Sequence, residues 1–303
     1  MTSVALAVAP IAWKNDDLPD LGRDTSLEQV WRESREAGFT GTEKGGSYPN
    51  DPKGLKTSLD AHGLTLASGW YSGELLLYSV DEEYDRMAKH MEVLLTCGSP
   101  VCVYAETSNS TQTKLDVALK DRPVMTEDQI KAYGEKLTML ARKMEAAGLP
   151  MAYHHHMGTI IEKEAELDLL MTNSGDEAGL VFDTGHLVFG GSSQDEMVAA
   201  MRRHMSRINH IHVKDVRADI AKRVWAEEMA FLDAVFAGVF TVPGDGVINY
   251  QPVADLIKEF DFNGWVVVEA EQDPSKANPL EYSRLGFETI SACLSNAGVD
   301  VRS

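Results

Sequence analysis

The sequence predicts a single (β/α)8 barrel, because short apolar segments alternate with amphipathic helical segments eight times along its 303 residues. Each apolar segment is a continuous run that breaks abruptly into titratable residues. Such runs are typical of parallel strands buried on both faces, with chemistry at their carboxyl ends. No linker interrupts the series, so we expect one domain over residues 1–303. A doubly wound open sheet is the alternative, but it requires a glycine-rich phosphate turn after its first strand, where this chain has AWKNDD.

The boundaries of the predicted elements come from capping and turn residues. The first strand is VALAVAPI, and the first helix begins near Ser26, where SLEQ has the pattern of a capping box. TEDQ gives the same signal at Thr126, and glycines such as Gly98 predict helix ends. We expect the fifth helix over Ile160–Met171. The second to fourth strands are predicted to end at Glu43, Trp70 and Glu106, and the later ones include LPMAYHHH, GLVF, INHIHV and WVVVEAEQD.

An insertion interrupts the regular spacing between residues 216 and 249. It comprises a helical segment from Ala218 to Phe236 and the Gly-Pro-rich run GVFTVPGDG. Long insertions at the carboxyl-terminal rim of a barrel usually carry function. We therefore expect this segment to lie near the site.

Composition restricts the class of partner. The net charge of −19 repels phosphate backbones and anionic membranes, and the sequence has neither a basic patch nor an apolar run of the roughly 20 residues that cross a bilayer. We therefore expect a small neutral substrate, without nucleic acid or membrane as a partner; a homo-oligomer is left open. Three cysteines without paired spacing, Cys97, Cys102 and Cys293, favour a cytoplasmic, reducing compartment and packing roles.

Histidines and carboxylates concentrate at the predicted strand ends. Six of the nine histidines fall in HHH at 154–156, in DTGH and in HIHVKD. A metal needs three or four N or O donors from different elements, and consecutive barrel strands supply one donor each at similar height. His155 is one step out of phase and is predicted to be structural. The predicted metal ligands are His154, Asp183, His212 and Glu269. Two imidazoles with two carboxylates suit manganese, cobalt, zinc or iron.

Further polar residues at the same rim are candidates for binding and catalysis. His186 could hydrogen-bond a substrate oxygen or orient a metal ligand, and Lys214 could stabilise an oxyanion or lie on the surface. Glu43, Glu106 and Trp70 could line a polyol pocket with an apolar wall, although a glutamate at a strand end is also commonly just solvated. The patterns alone leave these alternatives open.

The order of these strand endings resembles a known family. YHHHMGT, FDTGHL, HIHVKDVR, GVFTVPGDG and VVEAEQDP together resemble the xylose isomerase-like barrels of sugar isomerases, epimerases and dehydratases and, more narrowly, the inosose dehydratases of inositol catabolism. The likeness extends from PIAW to NPLEYSRLGF. In that superfamily Glu, Asp, His and Glu from strands five to eight hold the metal. The resemblance therefore implies Asp183, His212 and Glu269 as ligands, with His154 where a glutamate is usual.

The resemblance implies a hydro-lyase that removes water from scyllo-inosose to give a trihydroxycyclohexane-dione. A divalent metal, manganese or cobalt by family expectation, would polarise the ketone while a base takes the adjacent proton and an acid protonates the leaving hydroxyl. The acid–base candidates are His156, His186, Lys214 and Glu271, without a division of roles. Glutathione is associated with the family, but nothing in this sequence indicates a site for it.

Three rival functions remain at this stage. A sugar or inosose isomerase or epimerase would use the same metal-bound enediolate, and His154 in place of a glutamate disfavours its symmetric proton shuttle. A metal-dependent endonuclease on this barrel needs a basic groove, which a chain of charge −19 lacks. A non-catalytic sugar or metal binder would tolerate loss of Lys214 and His186.

Overall fold

Eight parallel strands form the centre of the computed structural model, which describes residues 2–302. Seven barrel strands come first, two short strands belong to the insertion, and the eighth barrel strand and a terminal strand follow. In chain order they are β1 (Ser3–Val8), β2 (Gly41–Lys44), β3 (Thr65–Gly73), β4 (Cys102–Glu106), β5 (Met151–His154), β6 (Ala178–Asp183), β7 (Ile208–Val213), β8 (Asp215–Val216), β9 (Phe240–Thr241), β10 (Trp265–Val268) and β11 (Asp300–Arg302).

The pairing of β1 closes the barrel. Val8 lies opposite Thr42 of β2 on one side and opposite Val268 of β10 on the other, and every neighbouring pair around the ring is parallel. This closure confirms the predicted (β/α)8 barrel and excludes the open sheet, whose outer strands would not meet. The terminal strand β11, which has no counterpart among the predicted strands, pairs in parallel with the first half of β1.

Helices connect the strands and pack against one another around the ring. They are α1 (Leu27–Glu36), α2 (Pro52–Ala61), α3 (Val80–Cys97), α4 (Glu127–Ala146), α5 (Glu164–Thr172), α6 (Thr184–Phe189), α7 (Gln194–His204), α8 (Ala218–Ala226), α9 (Phe231–Ala237), α10 (Gln251–Glu259) and α11 (Pro279–Asn296). None of the helices in this described part of the chain is long and apolar enough to span a bilayer.

The helices begin as their capping residues predict, with two exceptions. Thr126 and Gln129 form the complete capping box, as predicted. Ser26 accepts from the Gln29 amide, but the Gln29 side chain donates to Glu33 at 2.9 Å instead of returning to Ser26. The predicted fifth helix begins at Glu164 rather than at Ile160, because the preceding residues form a turn in which the His156 amide donates to the Ile161 carbonyl.

The barrel interior contains small apolar side chains below a polar layer. Ala152 on β5, Val181 on β6 and Val267 on β10 are fully buried and belong to two small apolar clusters. Side chains two residues apart on a strand point to the same face, so His154, Asp183 and Glu269 continue these inward-facing rows. The alternation therefore places the predicted metal ligands together at the carboxyl end of the barrel.

The insertion contains two helices where the sequence analysis expected one segment. Residues 227–230 separate α8 from α9, with Glu228 at a φ of 52°. The break allows the Met229 carbonyl to accept from the Leu119 amide, and Ala230 to pair with Ala118, so the insertion is joined to the loop after β4. Phe231 of α9 and Phe240 of β9 pack beside the His186 ring, which brings the insertion to the barrel end that carries the polar layer.

Candidate metal centre and active site

Four predicted ligands converge at the carboxyl ends of β5, β6, β7 and β10. His154 Nε2 lies 3.6 Å, and His212 Nδ1 3.5 Å, from Asp183 Oδ2. His212 Nδ1 is also 2.8 Å from Glu269 Oε2 and 3.2 Å from His154 Nε2. All four side chains are buried or nearly so. His154, Asp183 and His212 thus surround one small volume, and Glu269 adjoins it through its contact with His212.

The hydrogen bonds of the two imidazoles direct their lone pairs toward this volume. His154 Nδ1 lies 2.5 Å from the His155 carbonyl, which can only accept, so Nδ1 carries the proton and Nε2 is free to bind a cation. His212 Nε2 lies 3.0 Å from Glu43 Oε1, which leaves Nδ1 as the donor atom toward the centre. Metal-ligating histidines usually have such a partner on their second nitrogen.

Asp183 supplies an oxygen that fits the same cation. Its Oδ1 caps α6 by accepting from the His186 amide at 2.8 Å, whereas its Oδ2 is buried and has no hydrogen-bond partner among the described residues. A buried carboxylate oxygen without a partner is costly, and a cation relieves that cost. The donor set therefore fits a divalent metal.

The electrostatic field at this centre favours positive charge. Burial alone would lower the pKa of His212, but the carboxylates of Glu43 and Glu269 outweigh burial and raise that pKa well above its usual value. Burial acts oppositely on Glu269, and Lys214 and His212 overcome it and lower the pKa of Glu269 to about 2. The field that favours an added proton on His212 also favours a divalent cation.

Glu43, which was predicted to bind substrate, lines the cavity and also holds two histidines. Its Oε1 lies 2.9 Å from His210 Nε2 and 3.0 Å from His212 Nε2, and it accepts from the Ser68 hydroxyl. Burial would raise the pKa of Glu43, but the two imidazoles lower it well below its usual value. Its carboxylate thus orients His212, a role that no sequence spacing between residues 43 and 212 indicates.

Lys214 lies in a second polar group, which it forms with His156, His186 and Glu271 directly beside the metal centre. Its fully buried Nζ lies 2.7 Å from both Glu269 Oε1 and Glu271 Oε1, and 3.0 Å from His186 Nε2. Burial alone would lower the pKa of Lys214, but Glu269, Glu271 and Asp183 raise it above its usual value. Lys214 is therefore a buried charged group and not an ordinary surface lysine.

The other members of this group have altered proton affinities. Burial lowers the pKa of both His156 and His186 well below the usual range, so both rings are neutral at pH 7. Burial raises the pKa of Glu271 to about 7, against the opposing charge of Lys214. His156 Nδ1 lies 2.8 Å from the Met157 carbonyl, so its Nε2 holds the lone pair. The four predicted acid–base residues are thus brought together.

A cavity of about 140 Å³ opens over both groups. Trp70 forms an apolar wall, with its ring 5.4 Å from the rings of His154 and His156. The lining also includes the predicted residues Glu43, His154, His156, His212, Glu269 and Glu271. His186 and Lys214 are not part of the lining and lie fully buried in contact with it.

Glu106 is the one predicted substrate residue that does not line the cavity. It is fully buried, and its carboxylate accepts from the amides of Leu76 at 3.2 Å and Ser108 at 3.0 Å. These amides belong to the loops after β3 and β4, so the side chain turns into the loops rather than toward the other candidates.

Several lining residues were not identified from the sequence. Asp16 and Asp17 come from the loop after β1, Lys44 from the end of β2, and Gln112 and Thr113 from the loop after β4. Those loops were recognised only as polar segments, AWKNDD and the long stretch from Thr107 to Val124. The four loop residues have no strand-end position and so give no signal that separates them from solvated loop residues. Lys44, by contrast, directly follows the predicted strand end at Glu43, and that position could have identified it.

The fold and the site together define a class of protein: a (β/α)8 barrel with a nitrogen and carboxylate metal centre at its carboxyl end. The family model described as "Xylose isomerase-like TIM barrel" matches residues 31–293. A crystal structure of the IolI protein with a zinc atom has the same fold, at a TM-score of 0.67 and 16% identity, covering 97% of this chain and 99% of that one.

Two relatives of known name indicate which branch of this family the chain belongs to. The chain is 43% identical to the rhizopine catabolism protein MocC of Rhizobium meliloti, over 100% of this chain and 92% of that protein. It is 41% identical to the inosose dehydratase of Erwinia tasmaniensis, over 92% of this chain and 94% of that protein. The chain therefore belongs to the xylose isomerase-like TIM barrel family, within the branch that contains the inosose dehydratases.

Proposed function

We propose that this protein is a metal-dependent hydro-lyase of inositol catabolism, which removes water from scyllo-inosose to give a trihydroxycyclohexane-dione. The similarity to inosose dehydratases over nearly the whole chain supports the substrate class. The reaction type is supported by one observation, the contact between a proposed metal ligand and a proposed acid. Lys214 Nζ joins the two, because it lies 2.7 Å from Glu269 and 2.7 Å from Glu271.

His154, Asp183, His212 and Glu269 would hold the metal. The ion, manganese or cobalt rather than zinc or iron in this proposal, would supply Lewis acidity that withdraws electron density from the substrate ketone. This choice follows the resemblance to the inosose dehydratases, and the two imidazoles and two carboxylates accommodate either ion. Glu43 keeps His212 in the tautomer that ligation requires, because its carboxylate accepts a hydrogen bond from the protonated Nε2.

Two groups on the cavity wall would exchange protons with the substrate. His156 Nε2 carries a lone pair and accepts the proton from the carbon next to the ketone. Glu271 then gives a proton to the departing β-hydroxyl, which otherwise leaves as the poor leaving group hydroxide. A positioned acid or base of this kind contributes roughly 100- to 10,000-fold to the rate.

Lys214 and His186 would act from beneath the cavity. The ammonium of Lys214 donates to Glu271 and to His186 Nε2, which fixes both side chains. Its charge also adds positive potential next to the substrate oxygen on which negative charge develops. Trp70 would exclude water beside His154 and His156. In this proposal the enzyme works in the cytoplasm, as the unpaired cysteines suggest.

The test is an ultraviolet assay of the purified protein with scyllo-inosose after chelation, with and without added Mn²⁺ or Co²⁺. Metal-dependent growth of the absorbance of the conjugated enol product is the expected result. Rearranged ketoses without loss of water would overturn the proposal and favour an isomerase. Turnover that is unaffected by chelation would contradict the metal assignment.

A further inference from the structure

Gln112 is a polar side chain on the cavity wall whose carboxamide oxygen has no partner among the described residues. It lies in the loop after β4 and is only 5% exposed, yet its Oε1 has no hydrogen-bond partner among residues 2–302. A buried acceptor oxygen without a donor is unfavourable, and a bound molecule in the adjoining cavity could relieve that cost. The cavity that Gln112 lines is the place from which such a partner would come.

The loop that carries Gln112 is attached to the turn that follows His156. The Thr111 amide donates to the Gly158 carbonyl at 2.8 Å, and the Gly158 amide donates to Glu162 Oε2 at 2.7 Å. Arg122 Nε lies 3.1 Å from Glu162 Oε1, and its guanidinium also donates to the Thr159 carbonyl. These contacts fix the backbone of the loop at Gln112 relative to the turn that follows His156.

The chemistry of a primary amide matches a hydroxyl group. A carboxamide offers two donor hydrogens and one acceptor oxygen, and a hydroxyl offers one donor and two lone pairs, so the pair can exchange hydrogen bonds in either direction. A polyol ring presents a hydroxyl on each carbon away from its ketone. A fixed amide can therefore distinguish one orientation of the ring from the others, whereas the metal-binding residues contact only the reacting end.

We propose that Gln112 is a specificity-determining residue whose carboxamide hydrogen-bonds to one ring hydroxyl of the polyol and so fixes which carbons face His156 and Glu271. This inference rests on the proposed function for its substrate. Substrate binding, which was predicted for Glu106, is thereby assigned to Gln112 in the loop after β4.

The test compares Gln112→Met with the unaltered protein, because methionine has a similar size and lacks the amide. The KM for scyllo-inosose and the Kd of the non-reacting ring inositol, measured by calorimetry with Mn²⁺ bound, should each rise about tenfold, as expected for one lost hydrogen bond. The value of kcat/KM should fall by about tenfold or more, since the bond is lost from the productive complex.

A panel of monodeoxy inososes identifies the contacted hydroxyl. One member should lose about tenfold in kcat/KM with the unaltered protein and lose nothing further with Gln112→Met, because each change removes the same bond. If the unaltered protein treats all monodeoxy substrates alike, or if Gln112→Met leaves KM and Kd unchanged, the inference is wrong.

Gln272→Met is the matched control. Gln272 is also a buried glutamine whose Oε1 lacks a partner among the described residues, but its Nε2 donates to Thr241 and it does not line the cavity. We expect KM within about twofold of the unaltered protein. An unaltered protein that binds inositol but does not turn over scyllo-inosose would contradict the proposed function, and the calorimetric comparison would still decide the role of Gln112.

Discussion

His154 determines the charge of the metal-binding residues. Metal ligation requires neutral imidazoles, so with the carboxylates of Asp183 and Glu269 the ligating donor set carries a charge of −2, which one divalent ion neutralises. A glutamate at position 154 would make it −3 and would reduce the ability of the ion to withdraw electron density from a ketone. The histidine therefore suits a reaction in which negative charge develops on a substrate oxygen.

We expect Asp183→Asn to lose bound metal and activity together. The change removes the negative charge and leaves an amide beside His154 and His212, although it preserves the shape of the side chain. The measurement is metal content after dialysis against Mn²⁺, together with kcat. Glu106→Gln is the matched control, since Glu106 is also a buried carboxylate at a strand end but accepts hydrogen bonds from amides of the loops. Normal metal content in Asp183→Asn would show that the site is assigned wrongly.

Lys214→Met should retain metal and lose turnover. None of the four proposed ligands is removed, and loss of the ammonium increases the negative field at the centre. Glu271 and His186, however, lose the donor that orients them. We expect kcat to fall by at least about 100-fold, with metal content unchanged. A variant that kept its turnover would remove Lys214 from the mechanism.

At the scale of elements, the turn after β5 connects the active site to the neighbouring loop. Gly158 has a φ of 76°, and a Cβ there would lie 2.9 Å from Thr111 Oγ1 and 3.0 Å from the Gln112 amide nitrogen. The absence of a side chain at this position thus allows the loops after β4 and β5 to meet. Their contact sets the height of Gln112 in the cavity.

Gly158→Ala should therefore affect both stability and substrate binding. The left-handed backbone conformation costs an alanine about 1–2 kcal/mol, and the crowding should add about 1 kcal/mol or more. Gly98→Ala separates the two effects, because Gly98 also has a φ of 76° but a Cβ there would meet no atom within 4 Å. Denaturant unfolding should show the larger loss for Gly158→Ala, and only that variant should raise KM. Equal losses in both variants would refute the role assigned to the contact.

The sequence predicted elements whose signals are local. The capping box at Thr126 and the inward rows that end in His154 and Asp183 depend on spacing within a few residues, and the structure agrees with them. The break in the insertion and the place of Glu106 depend on partners in other loops, Leu119 and Leu76 respectively. A single sequence carries no record of such pairings.

At the scale of the whole molecule, closure of the barrel holds repelling charges close together. Parallel pairing of β5, β6, β7 and β10 places the carboxylates of Asp183 and Glu269 near one point, with the carboxyl group of Glu271 beside Lys214. When no cation is bound, folding must remove these charged groups from water, which costs free energy. A cation that binds only the folded chain compensates for that arrangement, so metal and stability are coupled.

Metal should consequently raise the melting temperature of the chelated protein. At a Mn²⁺ concentration 100 times the Kd, the stabilisation is about 2.7 kcal/mol, which corresponds to roughly 5 °C for a chain of this size. Differential scanning calorimetry with EDTA and then with excess Mn²⁺ measures the shift. The Asp183→Asn protein should melt at the same temperature in both conditions, because it lacks a ligand that only the folded barrel presents. An equal shift in this variant would mean that the ion stabilises the protein from another site.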